Sequence, residues 1–205
     1  MVVDWEVRPG QGIGPLRFGM DREAVASLGA ALGPVTDERE LGEGAEDVEA
    51  MLQPFGQWVT AEDIAQLKAA MAEVAGQQQG LMQQSRRNGM LLTFQDGALA
   101  EIIAPCDGPE ITIAGLRVFT DERLAVVAAL SRAAGDAPLT DGESIAYRRA
   151  PLWLHLFALG APGFAPHPDR QSAREVSLQL RAGPLRGTAE IDWARFRPLP
   201  LPGAA

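Results

Sequence analysis

Cysteine occurs once in the 205 residues, at Cys106, so the chain has neither a disulfide framework nor a thiolate metal cluster, and a reducing compartment is expected. Of the 18 basic residues all but Lys68 are arginine, which together with the abundant Ala, Gly and Pro reads as a GC-rich coding bias. Histidine is confined to His155 and His167, without HxxxH, HExxH or carboxylate-rich ligand spacing, so no metal site is expected. There is no G-x-S-x-G, and Cys106 beside Asp107-Gly108 reads as a turn thiol rather than an activated nucleophile. No apolar run approaches the about 20 residues of a membrane span, and Met1 to Gly19 lacks a charged n-region and an apolar h-region. The expectation is a cytoplasmic protein with no membrane partner. A formal net charge of -9 and a pI near 4.7 argue against nucleic acid, which needs clustered Lys and Arg, and favour a basic partner.

The composition, 46% apolar and 22% charged, is that of a globular chain able to bury a core. Its opening stretch, "PGQGIGPLRFGMDREAVASLGAALG" from Pro9 to Gly33, looks at first like a phosphate loop. The glycine spacing is G-x-G-x-G, however, and the helix begins seven residues after Gly14 with an extended segment between, so no helix N-terminus faces a pyrophosphate. No Gly-Lys-Ser/Thr follows either, and no nucleotide or other cofactor is expected. These glycines read as turn residues. Asp21 is an N-cap candidate for a helix over 21–32 with Val25, Leu28 and Leu32 on one face, stopped by Gly33-Pro34.

That stretch has an echo 100 residues on. "LRFGMD" (Leu16 to Asp21) aligns with "LRVFTD" (Leu116 to Asp121), and each precedes an apolar helical run, the second over 121–134. "LTFQDGALAEI" (Leu92 to Ile102) and "LQLRAGPLRGT" (Leu178 to Thr188) both read as β-hairpins around Gly97 and Gly183. Two matches in one order imply an internal duplication. The fold expected is α+β: two tandem repeats, residues 1–107 and 108–205, each with helices packed on an antiparallel β-sheet. Within the first repeat, between helix and hairpin, Thr60 to Asp63 forms a capping-box pattern, opening a helix over 60–75 whose stripe of Ile64, Leu67, Met71 and Val74 reads as core. "SIAYRRAPLWLHLF" reads as two strands about Arg148 to Pro151, with Trp153, His155 and Phe157 on one face and Leu152, Leu154 and Leu156 on the other.

The pattern GxGPLxFGMxxxxVxxLG over Gly12 to Gly33, followed by a hairpin with a turn glycine, resembles the start of the SmpA/OmlA lipoprotein repeat. It is also similar to the tandem units of β-lactamase inhibitory proteins and of bacterial toxin-immunity proteins. The resemblance implies units of two helices on an antiparallel sheet, paired into a saddle that grips a protein partner. The lipid-attachment cysteine near the N-terminus has no counterpart here, so the lipoprotein role does not carry over. No partner-contacting residue transfers to a position of this chain.

From Asp37 to Ala50 the chain carries seven acids against one basic residue, Arg39. The run reads either as a solvated loop or as a patch that steers a basic partner such as a cationic toxin domain. On the second reading Glu43, Glu46, Asp47 and Glu49 meet the partner, with Trp58, Tyr147, Arg148 and Arg149 as anchors, since interfaces concentrate their energy in Trp, Tyr and Arg. The function expected is therefore non-enzymatic protein binding of immunity or inhibitor type, with no catalytic residues. The alternatives are a small hydrolase or transferase with a His-containing pocket, and a structural or assembly factor.

Overall fold

A computed structural model describes residues 3–41, 60–157, 176–188 and 192–201. Glu43, Glu46, Asp47, Glu49, Trp58 and His167 lie outside the described residues. The chain is α+β, as its pattern predicts. The first half runs β1 (Trp5–Arg8), β2 (Gly12–Ile13), β3 (Leu16–Arg17), α1 (Arg22–Ser27), α2 (Gly29–Leu32), β4 (Val35–Glu40), α3 (Ala61–Gln77), β5 (Leu81–Arg86), β6 (Leu91–Gln95) and β7 (Ala98–Pro105). The second runs β8 (Ile111–Ile113), β9 (Leu116–Arg117), α4 (Arg123–Ala134), β10 (Leu139–Thr140), β11 (Ile145–Tyr147), β12 (Leu152–His155) and β13 (Ser177–Arg181). It closes with a 3-10 turn, Trp193–Arg195, and β14 (Arg197–Pro198).

Local chemistry explains most boundaries. Asp21 caps α1 through the Ala24 N–H at 2.7 Å, but the expected single helix is broken at Leu28, before Gly29. Glycine carries the poorest helix propensity after proline, so the break falls there. Thr60 and Asp63 form the predicted capping box of α3, Asp63 replacing the usual glutamate. α4 is capped by Glu122, which accepts from Leu124 and Ala125 N–H, one residue later than expected; Asp121 instead binds the Arg117 N–H and guanidinium at 2.8 Å each.

The glycine-rich opening forms a tight hairpin in which Gly12 and Gly14 lie against neighbouring backbone. A Cβ on Gly12 would lie 2.1 Å from Leu16 O, and one on Gly14 2.8 Å from Asp4 O, both at positive φ. The same hairpin recurs 100 residues on in the same register: Gly12 pairs Arg17 and Ile13 pairs Leu16, while Thr112 pairs Arg117 and Ile113 pairs Leu116. The two hairpins meet through β1, parallel to β8, in a five-stranded sheet of order β3-β2-β1-β8-β9.

A second sheet has nine strands, β14-β10-β11-β12-β13-β7-β6-β5-β4, every neighbour antiparallel. Its centre is the β7–β13 pair, where two four-stranded meanders, β4–β7 and β10–β13, join by their last strands. This corrects the expected hairpin at Gly183. β13 is hydrogen-bonded on both sides, to β12 and β7, so it has no free edge along which Leu185 to Thr188 could return. Pro184 also lacks the N–H a ladder would need. In topology β12–β13 is the counterpart of β6–β7.

One face of this sheet, with Leu92, Phe94, Ile102, Tyr147, Leu152, Leu154, Leu178 and Leu180, is fully buried in one cluster with Val25, Leu32, Val127 and Leu130 of the helices and Ile13, Leu16 and Ile111 of the small sheet. Each such side chain contributes about 1.5–3 kcal/mol of burial. α3 stands outside this cluster and has no buried residue. Ile64, Leu67 and Met71 are half-buried and Val74 is 46% exposed, which corrects the expectation that this stripe is core.

Candidate functional site

Strand alternation leaves the opposite face of the nine-stranded sheet with polar side chains. On β12, Leu152 and Leu154 enter the core, so Trp153 and His155 point the other way. Alternation stops at Leu156, whose φ of 50° is left-handed; Leu156 is exposed and Phe157 returns to the core, with Arg123 stacked 5.1 Å from its ring centroid. Phe157 therefore does not share the face of Trp153 and His155. On β13 the same alternation turns Ser177, Gln179 and Arg181 outward beside Glu101 of β7 and Thr93 of β6.

These outward groups form one hydrogen-bonded chain across four strands. Glu101, 5% exposed, accepts from Thr93 Oγ1 at 2.9 Å, from Arg181 Nε at 2.7 Å and from the Gln179 amide. Three donors on one buried carboxylate offset its desolvation. Because a carboxylate only accepts, Gln179 must turn its NH2 toward Glu101 and its Oε1 toward His155, 2.6 Å from Nε2. The His155 proton is thereby placed on Nε2, leaving Nδ1 as the acceptor of the neutral ring. Arg181 also lies over the Trp153 ring at 5.3 Å. Trp153 is only 7% exposed, and its buried Nε1–H has no hydrogen-bond partner among the described residues.

Trp153, His155, Gln179 and Arg181 wall a cavity of about 260 Å³ closed by Asp141, Ser144 and Phe196. Asp141 Oδ1 accepts from the N–H groups of Glu143 at 3.0 Å and Ser144 at 2.8 Å. Desolvation pushes its carboxyl up, but these backbone bonds and the charge of Arg195 outweigh it and hold the group below the usual range. A larger hollow of about 800 Å³ opens between the β5–β6 turn and the β7–β8 connection, lined by Arg87, Asn88 and Asp107 among others. The buried Asn88 Nδ2 and Arg86 Nε there have no partner among the described residues, and Arg86 donates through Nη2 to Gln84 at 2.6 Å.

The anchors expected from sequence separate. Tyr147 is not at the surface: it is fully buried and its hydroxyl donates to Val127 O at 2.8 Å, with burial and the Asp136 charge pushing its pKa well above the ordinary value. Arg148 and Arg149 are exposed in the β11–β12 turn; Arg148 stacks 4.8 Å over Trp193, and the Arg149 N–H donates to Asp136 at 2.7 Å. The start of the acidic run, Asp37 to Glu40, is the edge strand β4. Glu38 there pairs Arg22 at 2.5 Å and accepts from Gln84, and Arg39 donates to Gln83 at 2.8 Å. Burial, then the neighbouring Asp107 charge, pushes the Cys106 thiol up, the reverse of nucleophile activation. Among the described residues no group of three His, Cys, Asp or Glu could hold a metal ion, and no helix is long and apolar enough to cross a membrane.

Sequence reasoning passed over Thr93, Glu101, Gln179 and Arg181. The alternation in "VSLQLR" marks Gln179 and Arg181 as one face of a strand, but their meeting with Glu101, 78 residues away from Gln179, depends on the β7–β13 pairing. Comparison of the chain with protein-family models, with curated proteins and with solved structures returns no match.

Proposed function

We propose that this chain is a non-enzymatic protein-binding protein of immunity or inhibitor type, which neutralises a basic toxin domain by occluding it with the outward face of the nine-stranded sheet. The observation that carries the reading is the hydrogen-bonded row from Thr93 to His155: Thr93, Glu101 and Gln179 are buried and hold the half-buried Arg181 and His155 in one geometry, so these two meet a partner at little ordering cost. The resemblance to tandem-repeat binders and the recurring hairpin support it, as does the acidic run, which suits electrostatic steering. The partner is retained by pull-down from the source cell and identified by mass spectrometry. Replacing Glu43, Glu46, Asp47 and Glu49 with Gln then slows association and flattens its salt dependence, with a smaller change in dissociation. Recovery of no protein, with a metabolite co-purifying at stoichiometric level, overturns the reading.

A second reading rests on the cavity that His155 shares with Ser144 and Asp141: a hydrolase or transferase site with the Nδ1 of His155 as base. It is the weaker one, because Gln179, and not a carboxylate, backs the imidazole, and Asp141 is engaged with the backbone of its own turn.

A further inference from the structure

The geometry points to the Trp153 cavity as a recognition pocket for an uncharged primary carboxamide, the group carried by an Asn or Gln side chain. This deepens the protein-binding reading and rests on it for the source of the carboxamide, while the pocket itself stands on its own contacts. The buried Nε1–H of Trp153 is a donor without an acceptor among the described residues, which is costly unless something fills the role. Arg181, which lines the cavity together with Trp153, uses Nε on Glu101, and no acceptor among the described residues meets its Nη groups. His155 Nδ1 supplies an acceptor, because the Gln179 contact occupies Nε2. A carboxamide matches this set: its oxygen takes the indole and guanidinium hydrogens and its NH2 reaches the imidazole.

Charge decides against a carboxylate. Arg181 is already neutralised by Glu101 at 2.7 Å, and Asp141 on the rim lies in the field of Arg195. An anion would add a third negative group without a cation to itself, whereas a neutral amide makes the same hydrogen bonds without that repulsion. The aromatic faces of Trp153 and Phe196 suit the flat amide and the methylenes that carry it.

Nitrogen-15 proton correlation spectra of the full chain test this without any partner. The four tryptophans give four indole N–H signals, and the Trp153 signal is the one missing from Trp153→Phe. The probes are propionamide and its isosteric anion, propionate. Saturable downfield movement of the Trp153 signal with propionamide, with the other three indoles still and little response to propionate, is the expected result. Arg181→Lys keeps a charge against Glu101 but loses the planar fork, and weakens propionamide binding about tenfold. Should Trp153→Phe fail to fold, Arg181→Lys identifies the signal by the loss of its response. No saturable movement, equal movement of all four indoles, tighter binding of propionate, or unchanged affinity in Arg181→Lys each overturns the proposal. Failure here leaves the pull-down untouched, and an empty pull-down leaves this titration untouched, so the two claims fail separately.

Discussion

Two glutamate–arginine pairs brace the nine-stranded sheet, and they differ in burial more than in length. At the centre Glu101 and Arg181 meet at 2.7 Å, with side chains 6% and 17% exposed. At the edge Glu38 and Arg22 meet at 2.5 Å, with side chains 34% and 47% exposed. The shorter contact is the weaker one. In water two long side chains lose entropy to hold a pair that solvent and salt already screen, so an exposed pair contributes about 0–1 kcal/mol. In the buried pair each charge depends on the other, and Glu101 also on Thr93 and Gln179, for the solvation it has lost. The same residue types therefore make a fixed structural row in one place and an adjustable, hydrated edge in another. That division matches the proposed division of labour, with a rigid face for recognition and an acidic margin for steering.

The largest effect expected is from Arg181→Ala. It leaves the Glu101 carboxylate buried without its cation and lowers stability by about 3–5 kcal/mol, read as a fall in the urea midpoint at unchanged slope. A loss under about 1 kcal/mol would erase the contrast between centre and edge. Next is Tyr147→Phe, which removes the bond to Val127 O and costs about 1 kcal/mol near neutral pH. It also changes the alkaline limb. Burial, then the Asp136 charge, raises the Tyr147 pKa in the folded state, so as pH rises past about 10 the unfolded chain loses a proton that the folded one keeps. Wild-type stability then falls with pH, and Tyr147→Phe, titrated by denaturant at several alkaline pH values, shows a shallower fall. The smallest effect is from Arg22→Ala, below about 1 kcal/mol and vanishing at high salt. A larger, salt-insensitive loss would show that the edge pair contributes as much as the central one.

Much of the fold is legible in the sequence because it is local. The α+β class, the Thr60–Asp63 capping box, the Asp21 cap and the hairpin recurring 100 residues on are all set by neighbours within a few positions. What escapes is set by distant partners. The Ala-Gly signal at Gly183 resembles a hairpin turn until β7 is known to occupy the far side of β13. Tyr147 resembles an anchor until α4 offers it a carbonyl. The left-handed Leu156 is invisible to a two-residue period, and it alone separates Phe157 from His155. The α3 stripe has a core pattern, yet its packing depends on what faces it, and among the described residues it stays half-exposed. The candidate cavity is non-local in the same way, drawing on β12, β13 and the chain near Phe196.

The most direct test of the outward face as the binding surface is the dissociation rate of the recovered partner from three variants: Arg181→Lys, His155→Ala and Val74→Asp. Dissociation about tenfold faster is expected for Arg181→Lys and His155→Ala, as for truncation of a central interface residue, and unchanged dissociation for Val74→Asp on α3. Unchanged dissociation in the first two, with accelerated release in Val74→Asp, would place the partner on α3 rather than on the outward face of the sheet.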